Sequence, residues 1–332
     1  MMKKAIIFGY GGMGQRYHLA LKKNKINVVG ICDKKLTIKK NTIPFYKNYK
    51  TLLNIKADLA CVVTNTASRF EIIKNLITNS KIKKIIIEKP IAVSMKEAQT
   101  ILDLSIKYKK RILVNTHRTY SPNLINLKKF FKKKKEKITH IFINSPSAGI
   151  GNMGSTFFDI SQYFLDEKPK SVFAQVDKSN TDNPRGKKFK DPGVYGVINY
   201  KSQAKVFFDL SENTGLPYKM TFKSKNYEVL FDELNNAMTL EERPKLMRSK
   251  PLYYYLFKPS KKNIKIYKKF NVVEMTRATI KEIFAKDFNY SNLKRALVVS
   301  EIITSCFISD RKNEIIKVPL SKKYYKYRCN FA

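Results

Sequence analysis

Gly9, Gly11 and Gly14 stand in G-x-G-x-x-G spacing within Lys3–Gly14, KKAIIFGYGGMG. Glycines so spaced suit the binding of a pyrophosphate. Gly9 permits a tight turn with φ > 0. Gly11 carries no β-carbon to keep the backbone from the anion. Gly14 lets a helix pack close to the preceding strand. A helix opening at this point turns free N–H groups and the positive end of its dipole toward the same anion. Asp33 follows at close to the ~20-residue spacing at which a carboxylate meets a ribose 2′-hydroxyl. The chemistry implied is dinucleotide binding. The competing account is a glycine-rich turn with an unrelated acidic residue.

The elements that must hold these residues follow from apolar patterning. Ala5–Phe8 predicts the strand that enters the turn. A helix follows with Leu19, Ala20 and Tyr17 on its apolar side, and Ile26–Cys32 is a second strand ending at Asp33. Strands are expected at Asp58–Thr64, Lys84–Ile87 and Arg111–Asn115. Between them, helical spacing covers Glu71–Ile77 and a segment reaching Tyr108, with Ser94 as N-cap and Glu97 in the capping-box position. Alternating strands and helices predict a doubly wound parallel sheet, an α/β Rossmann arrangement. Ligands bind beyond the carboxyl ends of such strands. Asp33, Thr64–Thr66, Glu88–Pro90 and Asn115–Arg118 are therefore expected to line one crevice.

After Pro122 the pattern changes. A helix over 123–134 precedes strand candidates at 138–144, 171–176, 194–200, 205–210, 218–223 and 227–231, with a helix from Gly154 to Leu165 among them. This predicts an α+β unit with an open, largely antiparallel sheet, closed by helices over 276–288 and 291–307. The expected division is 1–120 and 121–332. No internal repeat is visible.

Composition limits the function classes. The chain has 332 residues, 43% of them hydrophobic, enough for two domains with sizeable cores. No run reaches the ~18 apolar residues of a membrane span, and no signal-peptide pattern opens the chain, so a cytoplasmic location and no membrane partner are expected. Cys32, Cys61, Cys306 and Cys329 form no C-x-x-C pair and suit buried hydrophobes rather than disulfides or zinc ligands; no metal is expected. The formal charge is +40, which raises nucleic acid as a partner. The lysines are spread along the whole chain and no nucleic-acid motif occurs, so no specific nucleic acid is expected. The densest run, 128–137, suits the solvated end of a helix.

Several motifs converge on one family. Glu88-Lys89-Pro90 follows a strand behind an N-terminal dinucleotide fold. Thr64-Asn65-Thr66-Ala67-Ser68-Arg69 stands where a T-P-x-x-x-H loop is usual, and Asn152-x-Gly154-x-Thr156-x-x-Asp159 stands where D-x-G-x-H-x-x-D is usual. Together these resemble the glucose–fructose oxidoreductase/inositol dehydrogenase (Gfo/Idh/MocA) family. The resemblance is strongest at the glycine loop and at Glu-Lys-Pro. It implies NAD(P)-linked hydride transfer at a carbinol carbon, usually of a sugar, inositol or nucleotide sugar, and an open sheet serving as oligomer interface in a homodimer or homotetramer. It places Lys89 beside the nicotinamide as the catalytic residue, its ammonium meeting the oxygen that alternates between hydroxyl and carbonyl, or relaying the proton if burial lowers its pKa. A surface lysine before a proline is the alternative. Cofactor contacts fall to Gly9, Gly11, Gly12, Met13, Gly14, Asp33, Thr64, Asn65, Thr66, Glu88 and Lys89. Substrate contacts fall to Arg118, Asn152, Thr156 and Asp159. The Lys89–Pro90 bond is open to either isomer.

The departures bear on activity. Asn152 and Thr156 replace Asp and His, and neither titrates near neutral pH. Proton transfer then falls to Lys89, a tyrosine such as Tyr120 or Tyr163, or water. Asp159 suits a substrate contact or a helix-surface carboxylate equally. Arg69 replaces the loop histidine, for phosphate or ring contact or for a solvated role. His18 and His140 suit structural roles, whereas His117 ends a strand at the crevice. Arg185 and Lys187, in the polar loop 180–193, suit a diphosphate or carboxylate; a basic solvated loop is the alternative. Asp33 favours NAD, since a carboxylate repels a 2′-phosphate; Lys34 and Lys35 leave NADP open. The expectation is a sugar or nucleotide-sugar dehydrogenase or reductase, of the kind that serves polysaccharide synthesis, against a non-catalytic cofactor-binding sensor or partner subunit of the same fold.

Overall fold

Strand β1 (Lys4–Phe8) is apolar at consecutive positions because both its faces are covered. Ile6 and Phe8 point into one helix layer, and Ala5 and Ile7 into the other. The same alternation divides Ala60 and Val62 from Leu59 and Cys61, and Ile85 and Ile87 from Ile86. A computed structural model describes residues 2–34, 43–146, 149–179, 189–212, 218–235, 237–251, 258–264 and 271–329. Lys35, Arg185 and Lys187 lie outside the described residues.

With β2 (Asn27–Cys32), β3 (Phe45–Tyr46), β4 (Leu59–Val62), β5 (Lys84–Ile87) and β6 (Arg111–Val114), β1 forms a six-stranded parallel sheet of order β3-β2-β1-β4-β5-β6. The order reverses between β1 and β4, so a crevice opens beyond the carboxyl ends of these two strands. One face is covered by α1 (Gly12–Lys23) through Tyr17, Ala20 and Leu21. The other is covered by α3 (Thr66–Asn79) and α4 (Met95–Lys107) through Ile73, Leu76, Ala98 and Ile101. The short α2 (Tyr49–Leu52) adds Leu52 to that second face. Ser94 caps α4, accepting from the Glu97 N–H at 3.3 Å, as the capping-box spacing predicts.

α5 (Pro122–Lys133) leads into a second, nine-stranded sheet. Its strands are β7 (Ile138–Asn144), β8 (Pro169–Val176), β9 (Val194–Tyr200), β10 (Lys205–Asp209), β11 (Lys219–Ser224), β12 (Tyr227–Asp232), β13 (Ala237–Glu242), β14 (Ser260–Asn263) and β15 (Ile316–Lys317). All neighbours are antiparallel except β7 and β10. A π turn, Gly149–Gly154, runs directly into α6 (Ser155–Leu165). α6 and α8 (Ser291–Lys312) cover one face with Phe157, Phe158, Phe164, Ile302 and Cys306. On the open face His140, Phe142 and Phe207 stack, with Phe142 and Phe207 centroids 5.1 Å apart at 12°.

Two late helices return to the first sheet. α7 (Val272–Ile283) packs Ile280 and Ile283 beside α1, and α8 sends Leu293 and Ala296 into the opposite layer. α7 starts earlier than its apolar spacing predicts, because Asn271 caps it by accepting from the Glu274 N–H at 3.0 Å. No helix among the described residues is long and apolar enough to cross a membrane. All four cysteines are buried and unpaired.

Candidate functional site

The glycine turn sits at the strand-order reversal. Gly9 has φ +91°, and a β-carbon there would stand 2.7 Å from the Val63 carbonyl oxygen. A β-carbon on Gly14 would overlap the Gly9 carbonyl oxygen. Gly11 is the N-cap of α1 and supplies no side-chain cap; the places where β-carbons of Gly11 and Gly12 would stand are open space. The first N–H groups of a twelve-residue helix thus open to the exposed side of the glycine turn with no side chain in the way, the geometry that a pyrophosphate fits. Asp33 joins the same unit, since its Oδ2 accepts from the Tyr10 N–H at 2.8 Å.

At the end of β5 the chain alternates as a strand must. Glu88 turns inward and is buried. Its Oε1 accepts from Tyr17 Oη on α1 at 3.0 Å and from Asn115 Nδ2 at the end of β6 at 2.8 Å. Asn115 Oδ1 accepts in turn from Thr279 Oγ1 on α7 at 3.0 Å. Burial, then the Glu88 charge, raises the Tyr17 phenol well above its ordinary range. Lys89 points the other way. Its Nζ donates to the Asn152 carbonyl at 2.6 Å and to Asn152 Oδ1 at 2.8 Å, joining β5 to the π turn of the second sheet's unit. The Lys89–Pro90 bond is cis.

Arg69 holds this turn from beneath. It is 3% exposed, which excludes the solvated role. Its Nη1 donates to the carbonyls of Glu88, at 2.6 Å, and Pro90, and its Nη2 to that of Thr64 at 2.6 Å. One guanidinium therefore ties the β4 loop to both sides of Lys89. Asn65 caps α3, accepting from the Ser68 N–H at 3.0 Å, and Thr66 is fully buried at the first turn.

Other expected residues are drawn into the crevice walls. Asp159 is 1% exposed and ion-paired with Arg295 of α8, Oδ1 to Nε 2.7 Å and Oδ2 to Nη2 3.4 Å. Arg118 donates from Nε to Glu233 Oε2 at 2.9 Å and from Nη2 to Tyr218 Oη at 3.1 Å, while Tyr218 donates to Glu233. Thr156 Oγ1 lies 3.5 Å from the Asn152 carbonyl. Tyr120 is raised by burial and by Glu282, and Tyr163 lies under Lys128 at 4.1 Å. His18 pairs with Tyr10 Oη at 2.6 Å. Thus Lys89, Asn152 and Thr156 are brought together, whereas Arg118 and Asp159 face partners of their own. Sequence patterning does not single out Arg295, Glu233 and Tyr218, since nothing local separates them from the chain's other charged and aromatic residues. Among the described residues no cluster suits a metal ion.

His117 is buried against this wall, and its Nδ1 has no hydrogen-bond partner. Burial, then Arg118 and Lys89, hold its pKa down to about 3. It is neutral at physiological pH. Its contribution to stability is complete above the unfolded value of about 6.5 and is lost as pH falls toward 3, because the unfolded chain takes up the proton first. A histidine NMR titration is expected to show His117 unchanged from about pH 8 to about pH 5; a midpoint near 6.5 would contradict this packing. Arg69→Leu leaves three carbonyls without their donor and is expected to cost about 2 kcal/mol or more, read as a lower urea midpoint.

Residues 3–116 match the oxidoreductase family with an NAD-binding Rossmann fold, Gfo/Idh/MocA. No curated protein matches the chain in sequence. Solved structures match over nearly the whole length at low identity. An oxidoreductase from Agrobacterium radiobacter, in complex with NAD+, L-tartaric acid and magnesium, is 13% identical, covering 96% of this chain and 98% of that one, with TM-score 0.73. UDP-N-acetylglucosamine 3-dehydrogenase GnnA from Acidithiobacillus ferrooxidans is 12% identical, covering 95% and 100%, with TM-score 0.75. The super-repressor mutant of Gal80p from Saccharomyces cerevisiae is 12% identical, covering 98% and 100%, with TM-score 0.76. Residues 3–116 thus match the NAD-binding Rossmann fold of the Gfo/Idh/MocA oxidoreductase family, and over its full length the chain shares the two-sheet fold of these structures.

Proposed function

We propose that this protein is an NAD(P)-dependent oxidoreductase acting on a secondary alcohol or ketone carbon of a sugar, with a nucleotide-linked sugar as the favoured substrate class. The observation that carries the reading is Lys89: a half-buried ammonium at a strand end, anchored to Asn152, in the crevice that the glycine turn opens. In this reading the cofactor, when bound, supplies or removes the hydride. Gly9, Gly11, Gly12, Met13 and Gly14 hold its pyrophosphate, and Asp33 its ribose, which favours NAD over NADP. Thr64 and Asn65 would border it, whereas Thr66 and Glu88, expected as cofactor contacts, are buried beneath and would support this wall from behind.

Lys89 donates a hydrogen bond to the reacting oxygen and offsets the negative charge that builds there as the carbonyl becomes an alkoxide. Asn152 and Thr156 present uncharged groups to neighbouring hydroxyls. Asp159 and Arg118 act at one remove, fixing α6 and the β6 end through Arg295 and Glu233. The cofactor unit is assigned to residues 1–120 and the substrate unit to 121–332. The open aromatic face of the second sheet is assigned to a homodimer or homotetramer. GnnA, a sugar-nucleotide dehydrogenase by name, shares the fold and supports the sugar reading.

A non-catalytic sensor is the second reading, favoured by Asn152 and Thr156 in place of titrating residues and by a repressor of the same fold. Titration with NADH is expected to give a saturable fluorescence change below millimolar concentration; its absence would sink both readings. Lys89→Ala is expected to lower turnover of a sugar or nucleotide-sugar substrate at least ~100-fold while cofactor affinity stays within about threefold. Tight NADH binding with no turnover across a sugar-nucleotide panel would favour the sensor.

A further inference from the structure

We propose that Asp191 is a positioning residue for Lys89, acting through Asn152; the proposal rests on the reading that Lys89 meets the reacting oxygen. Both oxygens of the Asp191 carboxylate are engaged by consecutive backbone donors of the π turn. Oδ1 accepts from the Gly151 N–H at 2.6 Å and Oδ2 from the Asn152 N–H at 3.0 Å. The next residue reinforces the clamp, as the Pro192 carbonyl accepts from the Ile150 N–H at 2.9 Å. Asn152 is thereby held by its N–H on one side, while its carbonyl and amide oxygens hold Lys89 on the other.

Gly149 makes room for the clamp. It has φ +77°, and a β-carbon there would overlap the Asp191 carboxylate. Only glycine satisfies both conditions cheaply. A regular α-helix from this point would direct its first N–H groups to solvent or to a cap one turn away. The wider π turn instead receives a carboxylate from forty residues along the chain. Charge-assisted bonds to two successive N–H groups fix direction as well as distance. The Asn152 carbonyl carries further load, accepting from Ser155 Oγ at 2.9 Å. A shift of the turn would therefore move every oxygen that Lys89 uses on this residue.

The test reads Lys89 directly. Limited reductive methylation with formaldehyde and borohydride, followed by peptide mass spectrometry, compares Lys89 with exposed Lys107 and with buried Lys110. Lys110 donates to the Ser80 and Ile82 carbonyls far from the π turn and reports general loosening. In Asp191→Ala the labelling of Lys89 relative to Lys107 is expected to change at least about fivefold while Lys110 stays within about twofold. Asp191→Asn keeps one acceptor oxygen and is expected to restore part of the wild-type ratio. Gly149→Ala, which leaves Asp191 intact but takes its space, is expected to reproduce the effect of Asp191→Ala. NADH affinity is expected to stay within about threefold throughout. Lys89 labelling unchanged in a folded Asp191→Ala variant, or Lys89 and Lys110 rising together, would overturn the proposal. Should Asp191→Ala fail to fold, Asp191→Asn carries the same comparison. Because the labelling is done without cofactor, a wild type that binds no NADH would refute the functional reading while the Lys89 ratio still tests the clamp.

Discussion

A lysine at the carboxyl end of a parallel strand can swing through a wide arc unless both its backbone and its ammonium are held. Here both are, the backbone by a guanidinium and the ammonium by dipoles. Arg69 takes the carbonyls on either side of Lys89, and Asn152 takes the ammonium with two oxygens. The two contacts come from different sheets' units, so the crevice is defined by the reach of one side chain. Glu88, the adjacent residue, supplies the complementary constraint. Its carboxylate gathers Tyr17, Asn115 and, through Asn115, Thr279, so that α1, β5, β6 and α7 cannot move independently of the turn. A buried carboxylate is costly unless its hydrogen bonds are met, and these are met by neutral donors that add no competing positive charge.

The crevice walls are arranged to keep their own cations quiet. Arg118 and Arg295 are each matched by a carboxylate, Glu233 and Asp159, with geometry good enough to offset desolvation. The formal charge of +40 is thus a property of the solvated lysines, such as those at the end of α5, where salt screens it within about 10 Å. It attracts anions to the molecule as a whole and does not choose among them. The choice falls to groups inside the crevice, where His117 stays neutral.

What the sequence made legible follows from the range of each interaction. The buried strands of the first sheet are runs of apolar residues, and the glycine turn is a local backbone requirement; both are written within a few residues. Asn152 and Thr156 were visible only through the resemblance of the Asn152–Asp159 segment to a family motif. Of the four edge strands only β6 was legible. β3 and β15 have two residues each, too short for an apolar pattern, and β14 is Ser-Lys-Lys-Asn, exposed throughout, so hydrogen bonds to a neighbour rather than burial place it. The return of α7 and α8 to the first sheet depends on contacts between segments more than 150 residues apart. The roles of Arg69, Arg295 and Asp191 were hidden for a related reason. In a chain with 66 basic residues, nothing local marks the two arginines that close on partners around this crevice.

The replacement of two titrating residues narrows the chemistry open to this crevice. A carboxylate at position 152 would form an ion pair with the Lys89 ammonium at the observed 2.8 Å and cancel much of its field. The amide offers the same hydrogen-bond geometry with a dipole in place of a charge, so this contact orients the ammonium without forming an ion pair at position 152. An imidazole at position 156 would add a second proton-carrying group; the Thr156 hydroxyl at 3.5 Å from the Asn152 carbonyl adds only a weak donor. Tyr120 is tied to Glu282 and raised far from neutrality, and His117 is held too low to carry a proton at neutral pH. Among the described groups at the β5 end, Arg69 is spent on three backbone carbonyls, while Lys89 combines a positive charge with an exchangeable proton and a position fixed from both sides. Under the proposed reading, the oxygen that gains negative charge would meet this lysine, whose direction is set by Asn152 and the turn behind it.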